Sequence, residues 1–163
     1  MAGPASRAKI LVVEDDVALR NLYKYSLIVE GFDVDAVGDG LDALRSIDQA
    51  LPDLIVLDLR LPRFDGIFVQ QEISSRATTR VVPIVIVTAE DREIDERRNI
   101  CVLRKPVDVG ELVATVRECL AKAHRTVLLE RRRDTADERS RSSAADGPGP
   151  RGRRSRSRRD PGD

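Results

Sequence analysis

The chain predicts an α/β fold, a doubly wound parallel sheet with a polar C-terminal tail, on three observations. Short β-branched apolar runs recur between residues 10 and 103, segments with helical spacing alternate with them, and large apolar residues stop well before the C-terminus. Strand followed by helix, repeated, implies right-handed crossovers and helices on both faces of one sheet.

Ile10–Val13, Leu54–Leu57, and Val82 with Ile84–Val87 are nearly uninterrupted apolar runs, as expected of parallel strands covered on both faces. Phe32–Val37 alternates apolar and acidic residues, which predicts an edge strand with one face in water. Cys101–Leu103 is a fifth, very short run. Helical spacing covers Val17–Glu30, Gly40–Gln49, Ile67–Arg76 and Val109–Lys122, the last with Leu112, Val116 and Leu120 on one face. Gly31, Gly38 and Gly40 punctuate connections, and Pro52 and Pro83 mark strand entries that tolerate a missing N–H.

A chain of 163 residues, 41% hydrophobic, holds one core of ordinary size and a remainder that need not fold. Its formal net charge of zero hides an asymmetry: residues 1–123 carry 16 Lys/Arg against 21 Asp/Glu, and residues 124–163 carry 12 against 7. An acidic body thus bears a basic tail. The expected organisation is a disordered segment 1–7, a folded domain 8–123 and a basic, mostly disordered tail 124–163, with the last helix running on to about residue 133. Ser140–Asp163 has no large apolar residue, so that segment buries nothing to offset its ordering entropy.

No apolar stretch approaches the roughly 18 residues of a membrane span, and Met1–Lys9 lacks the apolar core of a signal peptide. A cytoplasmic protein without a transmembrane segment is expected. Cys101 and Cys119 lie in apolar runs without metal-ligand spacing, and are expected as inert thiols rather than a disulfide.

Four groups stand where buried strands would end: Glu14 with Asp15, Asp58, Thr88, and Lys105 before Pro106. One parallel sheet brings them to its carboxyl edge, where open α/β sheets bind ligands. Clustered carboxylates repel unless a cation neutralises them, and hard oxygen donors suit Mg²⁺. A carboxylate can also attack a phosphoryl group to give an acyl phosphate. Glu14-Asp15-Asp16 could equally cap a helix, whereas Asp58 has no immediate helix to cap. Thr88 would donate to a phosphoryl oxygen, and Lys105 would pair with the phosphate or the nucleophile.

The runs Ile10-Leu-Val-Val-Glu-Asp-Asp16, Leu54-Ile-Val-Leu-Asp-Leu-Arg-Leu-Pro-Arg-Phe-Asp-Gly66, Val85-Ile-Val-Thr-Ala89 and Leu103-Arg-Lys-Pro106 resemble the receiver domain of two-component response regulators, over roughly residues 8–122. That resemblance implies a flavodoxin-like sheet of five strands in the order 2-1-3-4-5. It implies Asp58 as phosphoacceptor, with Thr88 and Lys105 completing the phosphotransfer site. Mg²⁺ would be held by Glu14, Asp15, Asp58 and the backbone carbonyl of Arg60. The phosphoryl donor would be a histidine kinase or a phosphotransfer protein, and an unknown downstream protein would read the result. Asp16 and Asp65-Gly66 remain helix-start elements.

Two departures stand out. Val102 occupies the position, three before the lysine, where receivers usually carry Tyr or Phe. The stretch from Thr88 to Lys105 is short, leaving room for one or two helical turns within Asp91–Asn99. Arg60 and Glu90 could form an ion pair across the site.

The forty residues from about residue 124 onward hold too few apolar groups for an effector domain, so a single-domain regulator is expected, acting as an acceptor rather than a turnover enzyme. Arg151–Arg159 is rich in arginine but has no interleaved aromatics. Specific nucleic-acid recognition is therefore not expected, although nonspecific binding to nucleic acid or an acidic membrane is the alternative role of the tail. A haloacid-dehalogenase-type enzyme would need an Asp two residues after the nucleophile, and that position is Arg60.

Overall fold

The computed structural model describes residues 7–91, 94 and 100–144. Its elements run β1 (Lys9–Val13), α1 (Val17–Val29), β2 (Asp33–Val37), α2 (Gly40–Gln49), β3 (Leu54–Leu57), α3 (Gly66–Ser75), β4 (Ile84–Thr88), β5 (Ile100–Arg104) and α4 (Val109–Ala144). All five strands are parallel, in the order β2-β1-β3-β4-β5. The expected sheet, order and helix alternation are therefore the observed ones.

The continuous apolar runs have a plain cause. In β1, Ile10 and Val12 face one layer, with Tyr23, Leu27, Leu112 and Val116 from α1 and α4. Leu11 and Val13 face the other, with Ala43, Ile47, Val69 and Ile73 from α2 and α3. A strand sandwiched between two helix layers must be apolar at every position. Each fully buried Leu or Ile contributes about 1.5–3 kcal/mol relative to exposure, so the central strands hold the domain together. At the edge, β2 exposes Asp33 and Asp35 and buries Val34 between them, and Lys9 pairs with Asp35 at 3.1 Å.

Local chemistry sets the helix starts. Asp16 caps α1, accepting from the Leu19 N–H at 2.9 Å, and Asp65 caps α3, accepting from the Ile67 N–H at 3.0 Å. Both confirm their reading as helix-start residues. At the end of α1, Gly31 takes φ 93°, a left-handed turn that glycine adopts at no steric cost.

Two expectations require correction. Cys101 and Cys119 form a disulfide: Cys101 in β5 and Cys119 in α4 lie in the same core layer, a proximity that sequence spacing could not reveal. Helix α4 extends to Ala144, past the expected limit near residue 133. The extension includes Ala136, Glu138, Arg139, Arg141 and Ala144, residue types whose helix propensity does not depend on an apolar face. The chain divides into two units, Met1–Val127 and Leu128–Asp163. Residues 1–6, most of the Asp91–Asn99 segment and residues 145–163, on which the remaining disorder and short-helix expectations fall, lie outside the described residues.

Candidate phosphoacceptor and metal site

The sheet ladder extends one residue beyond β1, β3 and β5 and thereby fixes the site. Asp58 N donates to Val13 O at 2.9 Å, Glu14 N to Val37 O at 3.1 Å, and Lys105 N to Thr88 O at 3.0 Å. Val13 pairs with Leu57 and Leu57 with Ile86, so Glu14 and Asp58 occupy the next row of the sheet. These side chains converge because their backbones are continuations of adjacent strands.

Lys105 Nζ donates to Asp58 Oδ2 at 2.7 Å and to Glu14 Oε2 at 2.8 Å. Both carboxylates are almost wholly buried, at 2% exposure for Glu14 and 4% for Asp58. Unpaired, two such charges would carry a heavy desolvation penalty; the shared ammonium offsets it. Burial pushes the Glu14 carboxyl above its ordinary range, against the opposing pull of Lys105, with the Asp58 charge adding to the rise. For Lys105, burial works to lower the pKa, yet the bonds to Asp58 and Glu14 prevail and raise it. The lysine therefore stays charged. The Lys105–Pro106 peptide bond is cis.

Carboxylate oxygens of Glu14, Asp15 and Asp58 lie within 4.8 Å of one another. With all three ionised, Lys105 leaves two negative charges uncompensated, and the donors are all hard oxygens. The set suits a divalent cation of the magnesium type. Arg20, which the sequence reading missed, holds the acidic pair from behind: its Nη1 donates to Glu14 O at 2.7 Å and Asp15 O at 3.1 Å. Nothing in its sequence context distinguishes it from any other helix-surface arginine.

Asp58 Oδ1 accepts from Arg60 N at 3.1 Å, and Thr88, fully buried at the end of β4, accepts from Glu90 N at 3.1 Å. The expected Arg60–Glu90 contact is present but loose, with 3.9 Å between Nε and Oε1. An open cleft of about 460 Å³ beside the acidic cluster is lined by Asp15, Arg60, Leu61, Pro62, Asp65 and Glu90 among others. Val102 is half-buried and packs with the layer containing Ile84 and Ile86, with no ring at that position.

Residues 10–117 match the family model of the response regulator receiver domain. The chain belongs to this family. Receiver relatives include the phosphate regulon transcriptional regulatory protein PhoB of Rhizobium meliloti, 37% identical over 74% of this chain and 55% of that protein. The alkaline phosphatase synthesis transcriptional regulatory protein PhoP of Bacillus subtilis is 42% identical over 54% of this chain and 36% of that protein. Among solved structures, the receiver domain of a Pseudomonas aeruginosa sensor histidine kinase, with a magnesium ion coordinated in its active-site cleft, aligns with a TM-score of 0.63. It is 30% identical, covering 71% of this chain and 99% of that one. A Polaromonas sensor protein aligns with a TM-score of 0.66 at 27% identity, over 72% and 99% of the two chains.

This receiver spans about half the length of the curated relatives it matches. Several of those relatives are DNA-binding regulators by name, so the expectation that no specific nucleic acid is involved lacks support. No helix among the described residues is long and apolar enough to cross a membrane.

Proposed function

We propose that this receiver accepts a phosphoryl group on Asp58 from the phosphoimidazole of a histidine kinase or phosphotransfer protein, in a reaction that depends on Mg²⁺. The supporting observation is the Asp58 carboxylate itself: buried at the end of β3, paired with Lys105 and set among the acidic oxygens of Glu14 and Asp15. A carboxylate oxygen of Asp58 forms the new O–P bond as the P–N bond of the donor breaks, and the imidazole leaves. A divalent ion held by Glu14, Asp15, Asp58 and the Arg60 carbonyl would neutralise phosphoryl oxygens that the acidic cluster otherwise repels.

The chain's own residues do the rest. Lys105 is already within bonding distance of Asp58, and pairs with the phosphoryl group once the aspartate charge is masked. The Thr88 hydroxyl, buried beside its Glu90 backbone partner, donates to a phosphoryl oxygen. Such a module is a stoichiometric acceptor with slow self-catalysed dephosphorylation, acting in the cytoplasm. Its phosphorylated state is read by a downstream protein without a ring at Val102.

Incubation with acetyl phosphate and Mg²⁺ is expected to add one acid-stable, base-labile phosphate, and Asp58→Asn to abolish it. Equal labelling of the Asp58→Asn protein would rule out the assignment. A second reading, in which the receiver regulates nucleic-acid binding through the basic tail, is favoured by the arginines of Arg151–Arg159 and by the DNA-binding relatives.

A further inference from the structure

The loop from Leu59 to Asp65 carries Arg60 and forms one wall of the cleft. Within it, Arg63 stands at φ 64°, the one non-glycine residue at positive φ among the described residues. Left-handed backbone is unfavourable for a side chain such as arginine, and it persists only where surrounding contacts over-determine it. Those contacts are visible. Arg63 Nη2 donates to Asp39 Oδ2 and, at 3.0 Å, to Asp42 Oδ2, crossing from the β3–α3 loop to the first turn of α2.

Asp39 divides its two oxygens between two tasks. Oδ1 caps α2, accepting from Leu41 N at 2.9 Å and Asp42 N at 3.0 Å, while Oδ2 takes Arg63. The loop also meets α2 directly: a Cβ added to Gly40 would lie 2.4 Å from Phe64 O and 2.8 Å from Phe64 Cβ. At its far end, the loop is closed by Gly66 N donating to Leu59 O at 2.9 Å. Leu59 is buried in the core and Leu61 packs against it, and Phe64 stacks on Phe68, while Arg60 and Arg63 expose much of their side chains to solvent, 73% and 51%. To these apolar anchors the ionic bridge adds a polar one, at the residue whose backbone is left-handed.

We propose that Arg63 is a positioning residue: by bridging Asp39 and Asp42 it holds the Leu59–Asp65 loop in the conformation that offers the Arg60 carbonyl to a metal ion beside Asp58. This deepens, and rests on, the Mg²⁺-dependent phosphoacceptor reading. The bridge touches neither phosphoryl group nor metal. It acts through backbone placement, as outer groups around metal sites do.

Calorimetric titration of MgCl₂ into the full chain tests this. Arg63→Gln is expected to weaken Mg²⁺ binding about 10-fold, in line with the loss of a metal-supporting outer group. Arg63→Gly relieves the left-handed backbone but also removes the bridge, and is expected to lose affinity similarly. Asp39→Asn keeps the capping oxygen and discards the carboxylate charge. Its effect should combine with that of Arg63→Gln less than additively. In labelling by acetyl phosphate, the Mg²⁺ concentration for half-maximal rate should rise while the plateau rate is retained. Wild-type affinity in Arg63→Gln or Arg63→Gly, whatever happens to the melting temperature, would overturn the positioning role. A wild-type chain that neither binds Mg²⁺ nor labels at Asp58 would instead overturn the phosphoacceptor reading beneath it.

Discussion

Lys105 Nζ lies 2.7 Å from Asp58 Oδ2, although 47 residues separate the two in the chain. Lys105 closes the β5 end of the site as Asp58 closes β3, and the same ammonium reaches Glu14. One cation thus bridges two buried carboxylates and offsets their mutual repulsion.

Replacing Lys105 with Met is expected to slow phosphoryl incorporation about 100-fold at saturating Mg²⁺, the cost typical of removing a preorganised charge at a reacting oxygen. The initial rate of labelling from acetyl phosphate measures this. A rate within about threefold of wild type would show that the lysine is only a structural counter-ion, since a preorganised group contributes more.

Gly66→Ala should destabilise the receiver more than Gly31→Ala. At Gly66 a Cβ would stand 2.3 Å from Asp58 O and 2.6 Å from Leu59 Cα, both backbone atoms that cannot swing away. Overpacking of this kind costs about 1–3 kcal/mol or more. At Gly31 nothing lies within 4 Å and only the positive φ is penalised, at about 1–2 kcal/mol. Urea unfolding midpoints at constant m-value compare the two, and a reversed order would contradict the packing described.

The Asp39–Arg63 bridge should contribute a distinct acid dependence. Burial would raise the Asp39 pKa, but the Arg63 hydrogen bond and the α2 cap outweigh it and lower the carboxyl from 3.8 to about 2. A depressed native pKa means that the stabilisation is full above pH 3.8 and is lost as pH falls towards 2. The stability difference between wild type and Asp39→Asn, followed by denaturant unfolding, is expected to be constant near neutrality and to vanish at the acid end. A difference independent of pH across that window would remove the ionic basis of the bridge.

Deleting residues 131–163 should leave phosphoryl incorporation within about twofold of wild type, because all the site groups belong to the unit ending at Val127. The same deletion is expected to abolish any salt-dependent nucleic-acid binding, measured by fluorescence anisotropy at two salt concentrations. Unchanged binding would place the interface on the receiver and reject the tail reading.

Several features were legible without coordinates because they are local. The apolar runs that become β1, β3 and β4 report burial on both faces, the Asp-alternating run reports an edge, and a polar residue directly after such a run reports a sheet-end position. Glu14, Asp15, Asp58, Thr88 and Lys105 could therefore be named from spacing alone. Arg20 and Arg63 could not, since an arginine in a polar context carries no periodic signal and its reach depends on which loop packs beside it.

What the amino-acid order determined by itself was the succession of strands and helices, and with it the residues that end each strand, because backbone propensity and burial patterns are written in near neighbours. Tertiary structure alone decided the pairings across long sequence separations: Lys105 shared between Glu14 and Asp58, Arg63 bridging to Asp39 and Asp42, and Cys101 joined to Cys119. Such contacts depend on how helices settle on the sheet and which side chains then come within a few ångströms, a matter of three-dimensional packing that no local periodicity encodes.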